Sequence, residues 1–361
     1  MRIGTSVEEL DTPVALIDLD QLEHNIGVIA SHYRDKTIRL RPHGKNHKSP
    51  QILGMQIAAG GTVGGVCAAK VSEAEVFVNN GADNVLIANQ VVDADKILRV
   101  AALARRVETT VAIDNEVHIE RLAAGARALD TTLGVVVEID TMMGRGGVRT
   151  IEHAVTLARI VTATPHLRFR GVMSHQVPTQ RPPRRAQRFE EGGRYIEHVL
   201  VAKRAIEAAG IPVDIVSTGE TWTYDVAGTF PEVTEIEGGS YIVMEVPYAY
   251  MDEFRYALRI MGRVVARPDG RTAIGDVPID AIAAPNGLPT LEGVDGVAVS
   301  AIDHHGITLS SETEVPLGIG EAFTLLTHQQ DMTVNRWDRF AGVRNGVVET
   351  IIEAQARGCT N

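Results

Sequence analysis

The sequence is poor in cysteine, because its 361 residues include only Cys67 and Cys359. Two cysteines so far apart cannot form the disulfide framework of a small secreted protein, so a reducing, cytoplasmic location is expected. Residues 1–9 become acidic where a signal peptide would need an apolar core. The chain also lacks an uninterrupted apolar run of about 18 residues, which a membrane helix would need. We therefore expect no contact with a membrane.

Positive charge is also scarce. The chain has 35 Lys and Arg against 46 Asp and Glu, which gives a formal net charge of -11. Non-specific binding to nucleic acid or to anionic lipid requires clustered positive charge, so neither partner is expected. Hydrophobic residues at 44% and charged residues at 22% are typical of a globular protein with a large core. The expected partner is therefore a small molecule.

A G-x-G-x-x-G motif is missing after the first predicted strand, which argues against a dinucleotide-binding open sheet. Short β-branched runs instead alternate with longer segments of helical spacing. The predicted strands cover 37–42, 65–69, 84–88, 109–113, 134–139, 167–173, 214–217 and 235–242. The predicted helices between them cover 49–59, 72–80, 93–105, 115–129, 151–163 and 190–209. This α/β alternation favours a closed TIM-type (β/α)8 barrel.

The pattern changes after residue 245. Short predicted strands punctuated by Pro and Gly follow at 255–265, 272–274, 297–300 and 322–326, without long helical segments. A further apolar run, 12–18, precedes the first helix and is expected to pair with these strands. We therefore predict a barrel over 18–245 and a C-terminal β domain that comprises 1–17 plus 246–361.

The segment 41–48 follows the first predicted strand and contains His43 and Lys45. Barrels of this kind carry their chemistry at the carboxyl ends of the strands, and a lysine there can form a Schiff base with a carbonyl cofactor. The alternative is a basic surface turn. Two lysines, two histidines and a glycine within six residues favour the functional interpretation.

Small residues follow the last two predicted strands, as Ser217-Thr218-Gly219 and Gly238-Gly239-Ser240-Tyr241. Such segments are usually ordinary turns. Barrels, however, often bind phosphate after strands seven and eight, where backbone N–H groups and hydroxyls can surround an anion. A phosphate site opposite a lysine suggests pyridoxal 5'-phosphate. Arg145 would then oppose protonation of the pyridine nitrogen, unless it forms a salt bridge with Glu138 or Asp140.

The motifs resemble those of the D-threonine aldolase and D-serine dehydratase family, whose barrel is of the alanine racemase type. The resemblance rests on residues 11–13, 41–50, 72–75, 140–147, 237–241, 305–306 and 331–335. It implies that Lys45 carries pyridoxal phosphate, that His43 belongs to the same site and that Arg145 faces the ring nitrogen. It further implies a phosphate cradle formed by Ser217, Thr218, Gly219, Gly239, Ser240 and Tyr241. A homodimer is expected on the same basis.

The metal motif departs from the family pattern. Relatives carry His-x-Cys or His-x-Asp just before Thr-Val-Asn, whereas this chain reads His328-Gln329-Gln330-Asp331. Asp331 takes the place of the second ligand, and one extra residue separates it from His328. We predict that His328 and Asp331 bind a divalent metal, Mn, Mg or Zn. The alternative is that His328 is an ordinary loop residue.

The proton-transfer residue also departs from the pattern. After the sixth strand, relatives place an aromatic residue against the cofactor and follow it with a histidine base, and His175 occupies that aromatic position. Imidazole titrates near neutral pH, so His175 is the first candidate for the base and His305 the second. A histidine satisfied by local hydrogen bonds is the alternative.

The resemblance implies a pyridoxal phosphate lyase that cleaves D-configured β-hydroxy-α-amino acids, such as D-threonine, to glycine and an aldehyde. A dehydratase acting on D-serine or 3-hydroxyaspartate, which gives a keto acid and ammonia, is the alternative. A non-catalytic pyridoxal phosphate carrier is a third interpretation, but such carriers are single barrels, and the predicted β domain argues against it.

Overall fold

In a computed structural model, residues 1–179 and 183–361 are described, and they contain seventeen strands and nine α-helices. The strands are β1 Val14–Asp18, β2 Arg39–Leu40, β3 Val66–Ala68, β4 Asn84–Ile87, β5 Glu108–Ile113, β6 Leu133–Glu138, β7 Leu167–Ser174, β8 Ile215–Thr218, β9 Glu235–Ile236, β10 Leu258–Asp269, β11 Thr272–Gly275, β12 Thr290–Leu291, β13 Val297–Ile302, β14 Ile307–Ser311, β15 Ala322–Leu326, β16 Arg339–Arg344 and β17 Val347–Glu353. The helices are α1 Leu19–Tyr33, α2 Pro50–Ala59, α3 Val71–Asn79, α4 Ala94–Ala104, α5 Glu116–Ala128, α6 Ile151–Ala163, α7 Arg185–Ala208, α8 Tyr224–Ala227 and α9 Gln330–Val334.

The chain forms two compact units. One comprises Ile29–Lys45, Leu53–Gly239 and Cys359–Asn361, and is called the barrel unit here. The other comprises Met1–Val28, Asn46–Ile52 and Ser240–Gly358, and is called the β unit. The boundaries predicted from the sequence are 18–245 and 1–17 plus 246–361, whereas the first part of α1 and Asn46–Ile52 fall in the β unit.

The barrel unit is built on eight parallel strands in the order β2, β9, β8, β7, β6, β5, β4, β3. The two ends of this series also meet, because Leu40 N donates to Gly61 O at 2.9 Å and Cys67 N donates to Pro42 O at 2.8 Å. A parallel bridge between His43 and Cys67 continues the contact. The predicted (β/α)8 barrel with a separate β domain is thereby confirmed.

Side-chain caps explain where several barrel helices begin. The Asp93 carboxylate accepts from the backbone N–H groups of Asp95 and Lys96 at the start of α4. Asn115 caps α5 through Val117 N, and Thr150 caps α6 through His153 N. Each side chain satisfies a donor that has no partner inside the helix. These polar residues directly precede the helical spacing, which is why the sequence places the helices well.

Two predicted barrel strands are too long, because β2 covers only Arg39–Leu40 of the run 37–42 and β9 covers only the start of the run 235–242. The run 235–242 was expected to be a single strand, but β9 ends at Ile236 and a 3-10 turn covers Ser240–Ile242. Ile242 and Val243 are fully buried, so their apolar character reflects burial rather than an extended backbone. The Gly238-Gly239 pair separates the strand from the turn.

In the β unit, a sheet runs in the order β13, β14, β11, β10, β1, β16, β17, with β15 pairing to β10 and β12. Strand β1 pairs antiparallel with β10 and parallel with β16, so the N-terminal strand joins the C-terminal strands as expected. Leu10, Val14, Leu16, Met261, Ala341 and Val348 form a buried cluster on this sheet. Among the described residues, the structure has no helix with the length and apolarity to span a bilayer.

Candidate active site

Lys45 lies in a short 3-10 turn, Gly44–Asn46, just beyond the carboxyl end of β2. Gly44 allows this turn to sit against α3, because a Cβ atom there would lie 2.3 Å from the Phe77 ring. The charge of Lys45 lowers the pKa of both His175 and Cys67, although other influences on these two groups are larger. The lysine predicted from the sequence is therefore within electrostatic range of the ends of β7 and β3.

Glu237 lies one residue past β9 and is almost completely buried. Ser217 Oγ donates to its Oε1 at 2.8 Å, and Cys67 Sγ donates to its Oε2 at 3.2 Å. Burial raises the pKa of Glu237, whereas His175 and these hydrogen bonds oppose the increase. Burial and the same carboxylate raise the pKa of Cys67 well above its usual value, so the thiol stays protonated. The carboxyl ends of β3, β8 and β9 are thus linked by hydrogen bonds in which protonated side chains donate to Glu237.

His175 follows β7 and lies between two carboxylates. Its Nδ1 is 2.9 Å from Glu220 Oε1, and its Nε2 is 3.8 Å from Glu237 Oε2. Burial alone would lower the pKa of His175, but the hydrogen bond that its Nδ1 makes to Glu220 and the charges of both carboxylates raise it overall. The ring also stacks on His43, with centroids 6.3 Å apart and planes inclined by 18°. The structure therefore brings His43, Lys45 and His175 to one end of the barrel.

One ligand atom from each of His43, His175 and Glu237 lies within 4.8 Å of the others, a spacing that a metal ion could bridge. The hydrogen bonds argue for a different role. Both Glu237 oxygens accept hydrogen bonds from protein side chains, and His175 is paired with Glu220. The Lys45 charge opposes a further cation beside them. We interpret this group as a proton-holding network.

The predicted phosphate residues divide between the two units. Ser217 and Thr218 are fully buried in β8, and their hydroxyls contact protein groups: Ser217 contacts Glu237, and Thr218 Oγ1 lies 2.7 Å from Ser174 Oγ. Gln176 Nε2 donates to Thr218 Oγ1 at 3.2 Å, while its Oε1 is buried without a hydrogen-bond partner among the described residues. Both hydroxyls of this segment are thus already engaged by protein groups.

Glycine shapes the ends of β8 and β9. Gly219 has φ of +117°, and a Cβ atom there would lie 2.8 Å from Ile236 Cγ2. Its carbonyl accepts from Glu237 N at 3.0 Å, which fixes the two strand ends together. Ser240 and Tyr241 begin the last segment of the β unit, where the buried Tyr241 ring packs on Phe254 with centroids 5.6 Å apart. Gly239 is buried at the end of the barrel unit.

Arg145 lies in the loop after β6 and is exposed. The salt bridge considered for it is not formed: Asp140 pairs with Arg149 at 3.3 Å, and Glu138 accepts from Gln90 Nε2. Within residues 1–179 and 183–361, Arg145 makes neither an ion pair nor a hydrogen bond. The Arg145 guanidinium thus has no protein partner among the described residues. A ligand-binding role requires such an unpaired group.

The other predicted residues belong to the β unit. His305 is exposed in the turn between β13 and β14, where its backbone N–H donates to Asp303. His328 is half-buried, and its Nε2 lies 3.0 Å from Thr290 Oγ1. Burial lowers the pKa of His328, which favours the neutral imidazole that metals bind. Asp331 accepts from Gln329 Nε2 at 2.5 Å.

The family model described as "Alanine racemase, N-terminal domain" matches residues 17–247. The chain belongs to this family. This alanine racemase-type chain is 34% identical over 367 residues to the "3-hydroxy-D-aspartate aldolase" of Paracoccus denitrificans (strain Pd 1222), which covers 98% of this chain and 94% of that protein. The crystal structure of D-threonine aldolase from Filomicrobium marinum superposes with a TM-score of 0.95, at 32% identity over 100% of this chain and 99% of that one.

A third relative of this alanine racemase-type chain is named a dehydratase. The "D-threo-3-hydroxyaspartate dehydratase" of Delftia sp. (strain HT23) is 31% identical over 243 residues, which cover 66% of this chain and 62% of that protein. Aldolases and dehydratases are both lyases, so the relatives agree on that class. The family membership expected from the sequence motifs is confirmed.

Two functional candidates were missed from the sequence. Glu220 follows the Gly219 turn, and Glu237 directly follows β9, so both are acidic residues at strand ends. That position is the signal that could have identified them, since strand ends carry the chemistry of such barrels. Their partners, however, could not be read from sequence spacing. Gln180 to Pro182, which follow the His175 loop, lie outside the described residues.

Proposed function

We propose that this chain is a pyridoxal phosphate-dependent aldolase that cleaves D-configured β-hydroxy-α-amino acids to glycine and an aldehyde. The observation that carries the proposal is Lys45, which lies beyond β2 and within electrostatic range of a histidine bracketed by carboxylates. Membership of the alanine racemase-type family supports the cofactor. Relatives named as aldolases support the reaction.

The residues present fit the cofactor. Gln176 Oε1 is a buried acceptor without a hydrogen-bond partner in the described part of the chain, and Gln176 Nε2 donates to Thr218 Oγ1 in the segment predicted to hold the phosphate. When bound, pyridoxal phosphate would supply an aldehyde for covalent attachment and a ring that stabilises negative charge on the α-carbon. Lys45 would hold it covalently, with His43 beside it and Arg145 toward the ring nitrogen. The segments 217–219 and 239–241 would bind its phosphate.

His175 is the proposed proton-transfer residue. Cleavage requires that the β-hydroxyl lose a proton and that the α-carbon gain one. The imidazole belongs to the same strand-end network as Lys45, and its raised pKa makes it a stronger base than a free histidine. His305 remains the second candidate, and its exposed position in a hairpin turn leaves it available to a substrate.

We also propose a divalent metal, Mn, Mg or Zn, bound by His328 and Asp331. The neutral imidazole favoured at His328 and the carboxylate at Asp331 are ligand types that these ions accept. Gln330 between them is buried, and neither polar atom of its side chain has a hydrogen-bond partner within residues 1–179 and 183–361. A metal there would act as a Lewis acid on the substrate hydroxyl or carboxylate. The proposed assembly is a homodimer.

A dehydratase is the second candidate, and the relative named D-threo-3-hydroxyaspartate dehydratase favours it. The same residues could then assist loss of the β-hydroxyl as water, followed by release of ammonia. A non-catalytic carrier receives less support, because the relatives covering nearly the whole chain are named as enzymes.

One assay separates these functions. The purified protein, loaded with pyridoxal phosphate, is incubated with D-threonine, D-3-hydroxyaspartate or D-serine, each with and without chelator. Aldehyde or glyoxylate together with glycine identifies an aldolase, whereas keto acid together with ammonia identifies a dehydratase. Cofactor bound to Lys45 without turnover of any substrate would leave only the carrier.

A further inference from the structure

Glu220 lies in the loop after β8, and its backbone is held in place by local hydrogen bonds. Glu220 N donates to Thr223 Oγ1 at 2.9 Å, and Thr223 N donates to Glu220 O at 3.1 Å. Thr223 is fully buried, so this turn cannot easily rearrange. The position of the Glu220 backbone is therefore set before any substrate binds, which limits where its carboxylate can lie.

The same loop is tied to the segment that carries His175. Trp222 Nε1 donates to Gln176 O at 3.1 Å, and Arg188 donates to Trp222 O at 2.7 Å. Trp222 is fully buried. The two segments are thereby joined by the Trp222 side chain as well as by the 2.9 Å contact between Glu220 Oε1 and His175 Nδ1. Such a double connection maintains the direction of the imidazole ring.

Among the described residues, the charged and titratable groups that face His175 are two carboxylates, one ammonium and one imidazole. Glu220 contacts Nδ1, Glu237 lies 3.8 Å from Nε2, Lys45 opposes them electrostatically, and the His43 ring stacks alongside. An acceptor at Nδ1 selects the tautomer in which that nitrogen carries hydrogen. Nε2 is then the nitrogen that can accept a proton.

From this geometry we infer that Glu220 is a positioning residue, which fixes His175 so that Nδ1–H points to Glu220 and Nε2 exchanges protons with the substrate. The inference rests on the proposed lyase function. Nε2 takes the β-hydroxyl proton as the Cα–Cβ bond breaks and the electron pair remains on Cα. The same proton then passes to Cα, which yields glycine and restores the neutral imidazole. Glu220 stabilises the intervening imidazolium, as a buried carboxylate does beside other catalytic histidines.

The test compares the Glu220→Gln, Glu220→Ala and wild-type holoenzymes. Glu220→Gln keeps an acceptor of similar shape but removes the charge, so we expect the acidic limb of kcat/KM to move to lower pH by about one unit. We expect kcat to fall about tenfold in Glu220→Gln and further in Glu220→Ala, with KM nearly unchanged, because the lost interaction stabilises the transition state. Lyase activity is followed by aldehyde release.

A second readout does not depend on turnover. Nitrogen NMR of histidine-labelled protein, with the His175 signals assigned through a His175→Gln variant, reports the tautomer and the titration midpoint. Wild type should show hydrogen on Nδ1, and Glu220→Gln should titrate at lower pH. Glu116→Gln is the matched control, because Glu116 also pairs with a histidine, His153, at 3.1 Å, but the two side chains are only half-buried and belong to helices α5 and α6. It should change neither the pH profile nor the His175 signals.

The possible outcomes distinguish the positioning role of Glu220 from the proposed lyase function. Unchanged His175 titration and pH profile in both folded Glu220 variants would overturn the positioning role, whatever the reaction. A shifted His175 titration in a protein that converts no D-β-hydroxy amino acid would retain the positioning contact but reject the proposed function. If circular dichroism shows that Glu220→Ala is unfolded, the isosteric Glu220→Gln variant alone decides.

Discussion

His175 in the barrel unit and His328 in the β unit are the same side chain in opposite electrostatic surroundings. His175 lies between Glu220 and Glu237, and its pKa is raised. His328 contacts the neutral Thr290 hydroxyl, and burial lowers its pKa. The difference shows that burial alone does not determine protonation; the partner of each ring nitrogen does.

The comparison assigns different chemistry to the two units. A histidine that holds a proton beside carboxylates suits proton transfer, whereas a neutral histidine suits metal ligation. Under the proposed function, the first candidates for covalent attachment and proton transfer belong to the barrel unit, and the candidate metal ligands belong to the β unit. Each of the four predictions below tests one side of this division.

The largest expected effect is at Lys45. Lys45→Ala removes the only proposed covalent attachment for the cofactor, so we expect turnover to fall by at least about 10³-fold. Borohydride treatment should attach cofactor to Lys45 in wild type and to nothing in the variant, as measured by peptide mass spectrometry. Lys70→Ala, an exposed lysine after β3, is the control and should label normally. Full turnover in Lys45→Ala would contradict the site.

Replacing each histidine by glutamine compares the two units directly. His175→Gln should lower kcat by about 10²- to 10⁴-fold, the range for loss of a general base or acid. The cofactor absorbance should remain, since Lys45 is intact. His328→Gln should have a smaller effect that excess metal partly reverses. Equal losses of kcat in both variants, with no response to metal, would contradict the assignment of proton transfer to His175 and metal binding to His328.

Metal removal is expected to have an intermediate effect. Dialysis against chelator should reduce turnover of wild type by about tenfold or more, with recovery on adding Mn²⁺, because a bound cation stabilises developing negative charge. In His328→Gln, recovery should require more metal. His304→Gln, an exposed histidine beside Asp280, is the control and should recover like wild type. Chelator-resistant activity would remove the metal from the proposal.

The smallest expected effect is on the pH dependence of stability. A histidine with a raised pKa stabilises the fold most below its unfolded pKa of about 6.5, and this contribution disappears as pH rises through the folded pKa. A histidine with a lowered pKa does the opposite and destabilises the fold as pH falls below about 6.5.

Denaturant unfolding with chelator, from pH 5 to pH 9, can detect these contributions. Relative to wild type, His175→Gln should lose more stability at low pH, and His328→Gln should gain stability there. The two differences should therefore have opposite signs. Parallel pH curves for all three proteins would mean that the two histidines have similar surroundings in solution.

Local patterns predicted much of the fold. Capping residues such as Asp93, Asn115 and Thr150 act within a few positions of themselves, so the helices they begin could be placed from the sequence. All eight barrel strands were found for a similar reason, since β-branched runs bounded by turns are local signals. The strand predicted at 235–242 was too long, because burial and extension favour the same residue types.

Site residues could be predicted from the sequence only where they directly follow a strand. Lys45, His175 and the Gly219 turn follow strands directly, so the barrel hypothesis brought them to one end. The partners of these residues could not be predicted in the same way. The uncommitted state of Arg145, for example, depends on Asp140 pairing with Arg149 and on Glu138 accepting from Gln90.

By itself, the sequence determined the alternation of strands and helices, the lysine after β2 and the glycines at the ends of β8 and β9, because each is a local choice of backbone. Only the tertiary structure decided how His175 is used. Glu220 lies 45 positions away from it, and Cys67 meets Glu237 across 170 positions. Hydrogen bonds and pKa values depend on distances of a few ångströms, which closure of the barrel sets and sequence separation does not.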